Sequence, residues 1–429
     1  MNYLDKSDVL SVWSKGRIVG VKEKNAYYLT CDAADENVIF RLREMLGEPK
    51  KPFHLMYHDI YELGEDVEMD IAEMLELESA TAPIVLLAIK KSQDRMTKLA
   101  LNAIAPEANL LGVKMPKTTF YKTLLSDYKK PIVFVRIKNN SEYLAKKTIS
   151  SLADAFVLNA GEEEVNNVIR YSSIKYIRNI VSQEDTFLVV AGLIEKLGYN
   201  YKELEKKQVE KQLQSSKASF FALLAEHELL TAKENILGVI LQNTNELDNE
   251  PEFVLYRNSK FTDSLNQKST EEVNIVGLLK KTAFLLLDLT RESYEGEAVF
   301  LLENAAYRYF RTNNFTKYYS YLKENKIPKE FTKNILQNLK LDIAKGYKTD
   351  FIAAKIHITI AHYITLVSNA EQVSKVCFTG GVFKNLWLVE LLIAFMKPDF
   401  ELFFHKDLPS SKENNRFGQL MYYLYHKNN

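Results

Sequence analysis

Phe378-Thr-Gly-Gly-Val-Phe-Lys-Asn385 is the most specific stretch of this 429-residue chain. Val373 to Thr379, which leads into it, reads as a strand. Val382 to Lys397, which leads out, reads as an amphipathic helix. The pair Gly380-Gly381 therefore marks a strand-to-helix turn. Two adjacent glycines let the backbone come close to a phosphate, and the helix start behind them supplies amides and a favourable dipole. A plain tight turn uses the same pair, so both readings stand here. Glu401 to His405 and Ile236 to Leu241 read as further strands. Leu278 to Leu289 and Ile352 to Leu366 read as helices, the latter with Ile352, Ile356, Ile360 and Tyr363 on one stripe.

The alternation continues towards the N-terminus. Arg17 to Lys22 and Tyr27 to Cys31 are β-branched and aromatic runs around a polar turn, which predicts a hairpin or adjacent strands. Asn37 to Leu46 has helical spacing and is expected to end at Pro49 and Pro52. Pro83 to Ile89 and Pro131 to Ile137 are near-continuous apolar runs, as strands buried on both faces require. The expected fold class is α/β with a mixed sheet in residues 1–160 and a second α/β domain in 214–429. The stretch 161–213 reads as a charged, mostly helical connection, with Lys202-Glu-Leu-Glu-Lys-Lys207 as a solvated face.

Composition narrows the function classes. Fifty-six basic and 56 acidic side chains cancel. That argues against a nucleic-acid partner, which selects a basic excess. Cys31 and Cys377 are too few for a thiolate metal site or a disulfide framework, so a reducing cytoplasm is the expected location. Asp5, Lys6 and Asp8 break any early apolar run, and Leu386 to Met396, with Glu390 inside it, is too short to span a bilayer. Neither a secretory leader nor a membrane role is expected.

The C-terminal segments together resemble one family. Thr379-Gly-Gly-Val-Phe-Lys-Asn385, then His405-Lys-Asp-Leu-Pro409, then Phe417-Gly-Gln419 follow the end of HypF, the hydrogenase-maturation carbamoyltransferase. Its last domain is one of the TsaD-like carbamoyl and threonylcarbamoyl transferases, of actin-like ancestry. Ala353 to His357 and Tyr294-Glu-Gly296 match upstream segments, with Glu297 in place of a glutamine. Tyr28 to Ala33, Leu42-Arg-Glu44, Lys51-Pro-Phe53, Pro83 to Leu86, Leu111-Gly-Val113 and Ala153 to Phe156 resemble the family's YrdC-like domain in the same order. Its acylphosphatase-like domain and paired Cys-x-x-Cys zinc fingers have no counterpart here.

The resemblance implies a two-step reaction. The YrdC-like domain would make carbamoyl adenylate from carbamoyl phosphate and ATP. The TsaD-like domain would pass the carbamoyl group to a thiol of a protein partner, a HypE-like acceptor or a paralogue. It also implies a metal on a His-x-x-x-His pair and carboxylates. Those positions are changed: Ser215, Ser219, Gln242 and Lys412 stand where ligands belong, so no metal is expected. The N-terminal site is thinned as well. Its glycine loop is Glu23-Lys-Asn-Ala26, its basic pair is Met45 and Leu46, and the segment closing the adenylate pocket falls near Val135 to Asn139. His54, His58, His227 and His357 read as structural. The expected nucleotide contacts are Gly380, Gly381 and Asn385, with Lys51 in the other domain. The whole reads as a scaffold or regulatory descendant of the family with degenerate sites. The alternative is an active shortened carbamoyltransferase that still makes the adenylate.

Overall fold

The β-branched runs of the N-terminal part become the strands of one mixed sheet. In the computed structural model the described residues are 6–24, 26–90, 98–137, 142–157, 160–161, 164, 167–171, 178–182, 193–198, 213–242, 251–264, 274–313, 316, 319–323, 326–328, 330–410 and 414–428. The chain divides into two units, Met1–Tyr171 and Ser172–Asn429.

The strands of the first unit are β1 (Val19–Lys22), β2 (Tyr27–Asp32), β3 (His54–Met56), β4 (Val67–Glu68), β5 (Ile84–Ile89), β6 (Leu110–Lys114), β7 (Ile132–Arg136), β8 (Ala155–Val157) and β9 (Val168–Tyr171). They run in the order β9-β5-β6-β3-β7-β2-β1-β8, with β4 against β5. The predicted hairpin is present, with Val19 opposite Thr30 in an antiparallel pair. The pairs β3/β6, β5/β9 and β1/β8 are parallel, so the sheet is mixed. Period-two alternation feeds two cores. Leu29, Cys31 and Val133 enter one, and Tyr28, Ile132 and Phe134 the other. The helix Glu36–Leu46 starts on the Asp35 carboxylate and stops at Gly47, whose φ of 66° is left-handed. The stop therefore comes at a glycine cap, before Pro49 is reached.

Residues read as part of the connection contribute to this sheet. Besides β9, Glu164 reaches Lys114 at 2.7 Å with both side chains buried, and it accepts the amides of Lys117 and Thr118 at 2.9 and 2.8 Å. Burial pushes the Lys114 pKa down, against the pull of Glu164. Arg178–Ser182 (β10) is a strand as well. In this stretch the charged side chains hide short strands from a reading based on composition. Lys202 to Lys207 lie outside the described residues.

The second unit is built on β11 (Ile236–Ile240), β12 (Phe253–Arg257), β13 (Lys260–Asp263), β14 (Lys375–Thr379) and β15 (Glu401–Phe404). Their order is β13-β12-β11-β14-β15. β11, β14 and β15 are parallel, while β12 and β13 complete a meander. Leu237, Val239 and Phe378 face a core shared with the helices Ile275–Leu286, Glu297–Phe310, Thr349–Ala370 and Leu386–Met396. Ile236, Ile240 and Cys377 face the opposite core, under the helices Ser215–Glu226 and Asn415–Asn428. Thr349–Ala370 is 22 residues long and apolar enough to cross a bilayer by length and composition, but 89% of its apolar window is buried inside the fold.

Candidate functional site

β14 delivers Thr379 to the glycine turn, and the turn has a packing reason of its own. Gly380 has φ of 110°, and a Cβ there would lie 2.3 Å from the Leu241 carbonyl oxygen. That same carbonyl accepts the Val382 amide at 3.1 Å, and the Leu241 amide donates to Thr379 O at 2.9 Å. Only glycine fits so close a backbone crossing. Val382 to Lys397 is not one continuous helix. Gly381–Lys384 is a 3-10 turn, and the α-helix begins at Leu386. Asn385 makes the break because its Oδ1 caps the Leu388 amide at 3.1 Å, which requires an extended backbone at that residue.

The other end of Asn385 meets a buried histidine. Asn385 Nδ2 lies 2.8 Å from His357 Nε2, and His357 Nδ1 lies 2.8 Å from the Ala353 carbonyl. The carbonyl accepts from Nδ1, and Nε2 accepts from the amide. Burial lowers the His357 pKa to about 4, against the smaller raising effect of the Ala353 carbonyl. His357 therefore supports the turn from inside the core.

A second buried network reaches the turn from the opposite face. Ser219 Oγ lies 2.6 Å from Thr379 Oγ1, which lies 2.9 Å from His405 Nε2. His405 Nδ1 lies 2.6 Å from Glu226 Oε2, while Glu226 Oε1 accepts the amides of Lys406, Asp407 and Leu408 at 2.8, 2.5 and 3.2 Å. Asn414 Nδ2 is 2.9 Å from His405 Nε2, and Ser410 Oγ donates to the Gly380 carbonyl at 3.0 Å. All of these side chains are buried. Burial alone would raise the Glu226 pKa, but contacts from His405 and the loop amides outweigh it and hold the carboxyl below its ordinary range.

Three of the four expected ligand positions are described, and Lys412 lies outside the described residues. Ser215 and Ser219 do lie on one helix, but the Ser219 hydroxyl is engaged by Thr379. Gln242 is buried, and its Nε2 makes no hydrogen bond among the described residues. Neutral hydroxyl and amide donors do not fit a transition metal. Among the described residues no cluster of three His, Cys, Asp or Glu side chains is placed to hold an ion.

Gly380, Gly381 and Asn385 thus come together in the second unit, while Lys51 belongs to the first. Lys51 is exposed and pairs with Glu48 at 2.7 Å. Arg43, quoted within Leu42-Arg-Glu44, is buried beneath Phe53 and donates to the carbonyls of Ala103, Ile104, Glu48 and Lys51. Its charge is spent on the fold. Val135 and Arg136 close β7, and Lys138 and Asn139 lie outside the described residues. Of the four histidines read as structural, His227 bonds the Phe404 carbonyl at 2.7 Å and His58 pairs with Glu62 at 2.9 Å. Sequence reasoning passed over Glu226, Thr379, His405 and Asn414. Two of the four, Thr379 and His405, were already inside quoted motifs, but contacts between partners 160 to 182 residues apart leave no local spacing to find.

Known proteins fit this architecture. The sequence profile described as Carbamoyltransferase, Kae1-like Domain, second subdomain matches residues 229–419, and the Sua5, YciO and YrdC profile described as Telomere recombination matches residues 11–174. Carbamoyltransferase HypF of Synechocystis sp. is 34% identical over 118 residues, 28% of this chain and 15% of that protein. The Rhodobacter capsulatus HypF is 29% identical over 151 residues, 33% of this chain and 19% of that protein. The matched stretches thus span less than a fifth of these relatives. A full-length HypF crystal structure in a phosphate- and nucleotide-bound form covers 98% of this chain and 86% of its own, at TM-score 0.77 and 18% identity. The T. kodakarensis HypF structure covers 99% of this chain and 74% of its own, at TM-score 0.72 and 17% identity. At those identities the structures speak for the fold. Two domain profiles in series and the curated relatives make the chain HypF-like, a YrdC-like domain followed by a Kae1-like carbamoyltransferase domain, and the structural neighbours carry the same fold.

Proposed function

We propose that this chain is a non-catalytic member of its family, a cytoplasmic scaffold or regulator that retains the two domains and has left the transfer reaction behind. The family reaction, ATP-dependent transfer of a carbamoyl group from carbamoyl phosphate to a protein thiol in hydrogenase maturation, is then its ancestry. The observation that carries the proposal is the engagement of Ser219. Where the resemblance implies a ligand histidine, a small hydroxyl is locked into a buried hydrogen bond with Thr379. Restoring an imidazole there would require breaking that network. The thinned first unit supports the same reading, since Arg43 serves the fold and Lys51 is answered by Glu48.

A nucleotide remains part of this reading. Its phosphates would lie at the Gly380-Gly381 turn, beside Asn385; Lys51 would be a separate phosphate contact within the YrdC-like domain, reached by displacing Glu48. A protein partner, a HypE-like acceptor or a catalytic paralogue, is the natural client of such a scaffold. The decisive assay incubates the folded protein with ATP, carbamoyl phosphate and magnesium, and measures AMP and pyrophosphate. Neither should accumulate above the rate without protein. Steady AMP formation would establish an active carbamoyl-adenylate synthase and overturn the proposal.

A further inference from the structure

Two contacts on His405 settle where its proton sits. The Glu226 carboxylate only accepts, so Nδ1 at 2.6 Å carries the N–H. On the other side, Asn414 Nδ2 lies 3.1 Å from the Pro409 carbonyl, an acceptor that identifies it as the amide nitrogen. That amide donates to Nε2 at 2.9 Å, which makes Nε2 the acceptor. Both contacts select the same tautomer. Thr379 Oγ1, 2.9 Å from the same nitrogen, then points its hydrogen at His405, and Ser219 points its hydrogen at Thr379. The segment that follows β15 also grips the turn directly, through Ser410 on the Gly380 carbonyl. Burying a carboxylate and an imidazole is expensive, and an apolar pair would fill the same space at less cost.

We propose that Glu226 and His405 are positioning residues for the glycine turn. Glu226 holds His405 with its proton on Nδ1, and His405 thereby sets a one-way hydroxyl relay, Ser219 to Thr379 to His405, that fixes Thr379-Gly380-Gly381 in the shape that receives a nucleotide phosphate. The inference rests on the nucleotide reading above. In it the relay orders this turn through the chain's own side chains, so the binding it supports should persist in EDTA.

The test joins nitrogen NMR of the His405 ring with calorimetric titration of ADP in the presence of EDTA. Wild-type His405 should show its proton on Nδ1. Glu226→Gln preserves shape but presents an amide N–H to Nδ1, so the ring proton should move to Nε2, where it opposes Asn414 and Thr379. ADP affinity should fall about tenfold, a loss of about 1.4 kcal/mol. Thr379→Val should weaken ADP to a similar extent, and Thr379→Ser, which keeps the hydroxyl, should bind as the wild type does. A wild-type ring protonated on Nε2 overturns the relay, whatever the variants do. Unchanged ADP affinity in Glu226→Gln and Thr379→Val overturns the positioning role. Absence of ADP binding by the wild type overturns the nucleotide reading instead, and the tautomer measurement still decides the relay.

Discussion

Gly418 shows how much one residue can carry. It sits within the helix Asn415–Asn428, and a Cβ there would lie 1.8 Å from the Ala218 carbonyl oxygen on the helix Ser215–Glu226. Helix propensity favours alanine over glycine by about 1 kcal/mol. Here the obstacle is backbone, which cannot rotate aside, and separating two packed helices costs about 2 kcal/mol or more. The clash wins, so Gly418→Ala should lower the urea-unfolding free energy of the second unit by about 1 kcal/mol or more net. Gly64→Ala is the matched control. It lies within the helix Ile60–Asp66, and a Cβ there meets nothing within 4 Å, so stability should rise by about 0.5 to 1 kcal/mol. The motif Phe417-Gly-Gln419 was visible in the sequence, but its reason was not, because the neighbour that demands glycine is 200 residues away in the chain.

Most elements were legible. β5, β7, β11 and β14 fall inside the runs that predict them and β2 passes its run by one residue, because a buried strand concentrates β-branched and apolar side chains in five or six positions. The helix after the glycine turn shows where that reasoning stops. Val382 and Phe383 look helical from composition, yet Asn385 uses its side chain on the Leu388 amide and the α-helix starts at Leu386, four residues after the expected Val382. β9 and β10 were hidden for the opposite reason, since strands of four or five residues carrying Arg170 and Arg178 lack an apolar pattern. The Asn385 hinge yields a sharp test. Aspartate caps as well as asparagine, but Asn385→Asp replaces the donor facing His357 Nε2 with a carboxylate oxygen. The His357 pKa should rise from about 4 to above its ordinary 6.5, as read by proton NMR titration. A titration unmoved from the wild-type value would show that the Asn385 contact does not govern this ring.

His357 in the second unit and Glu73 in the first link stability to pH with opposite signs. In the second, His357 is neutral when folded down to about pH 4, while the unfolded chain takes up the proton near 6.5. Stability is therefore present above pH 6.5 and lost as pH falls through 4, at a cost of about 3 kcal/mol. In the first, burial raises Glu73 to about 7, so the folded state keeps a proton that the unfolded chain releases near 4.5. Its stability falls as pH rises from 4.5 to 7. Glu62, also raised chiefly by burial, acts in the same direction. The chain's two tryptophans separate these effects, since Trp13 lies in one unit and Trp387 in the other. In single-tryptophan variants, lowering the pH from 6.5 to 4.5 should shift the Trp387-reported urea midpoint down and reduce the Trp13-reported midpoint less, or raise it. Equal downward shifts would refute the assignment. The sheet of the second unit also constrains synthesis. β11 gains its parallel neighbour β14 only after another 134 residues have been made, and Thr349–Ala370 lies between them in the chain. Until β14 and the helix Leu386–Met396 emerge from the ribosome, that apolar helix is covered only by earlier elements such as Glu297–Phe310, and it meets the composition test of a membrane-inserting segment. The nascent chain therefore passes through a window in which chaperones and the insertion machinery compete for it, and residues 375–396 close that window.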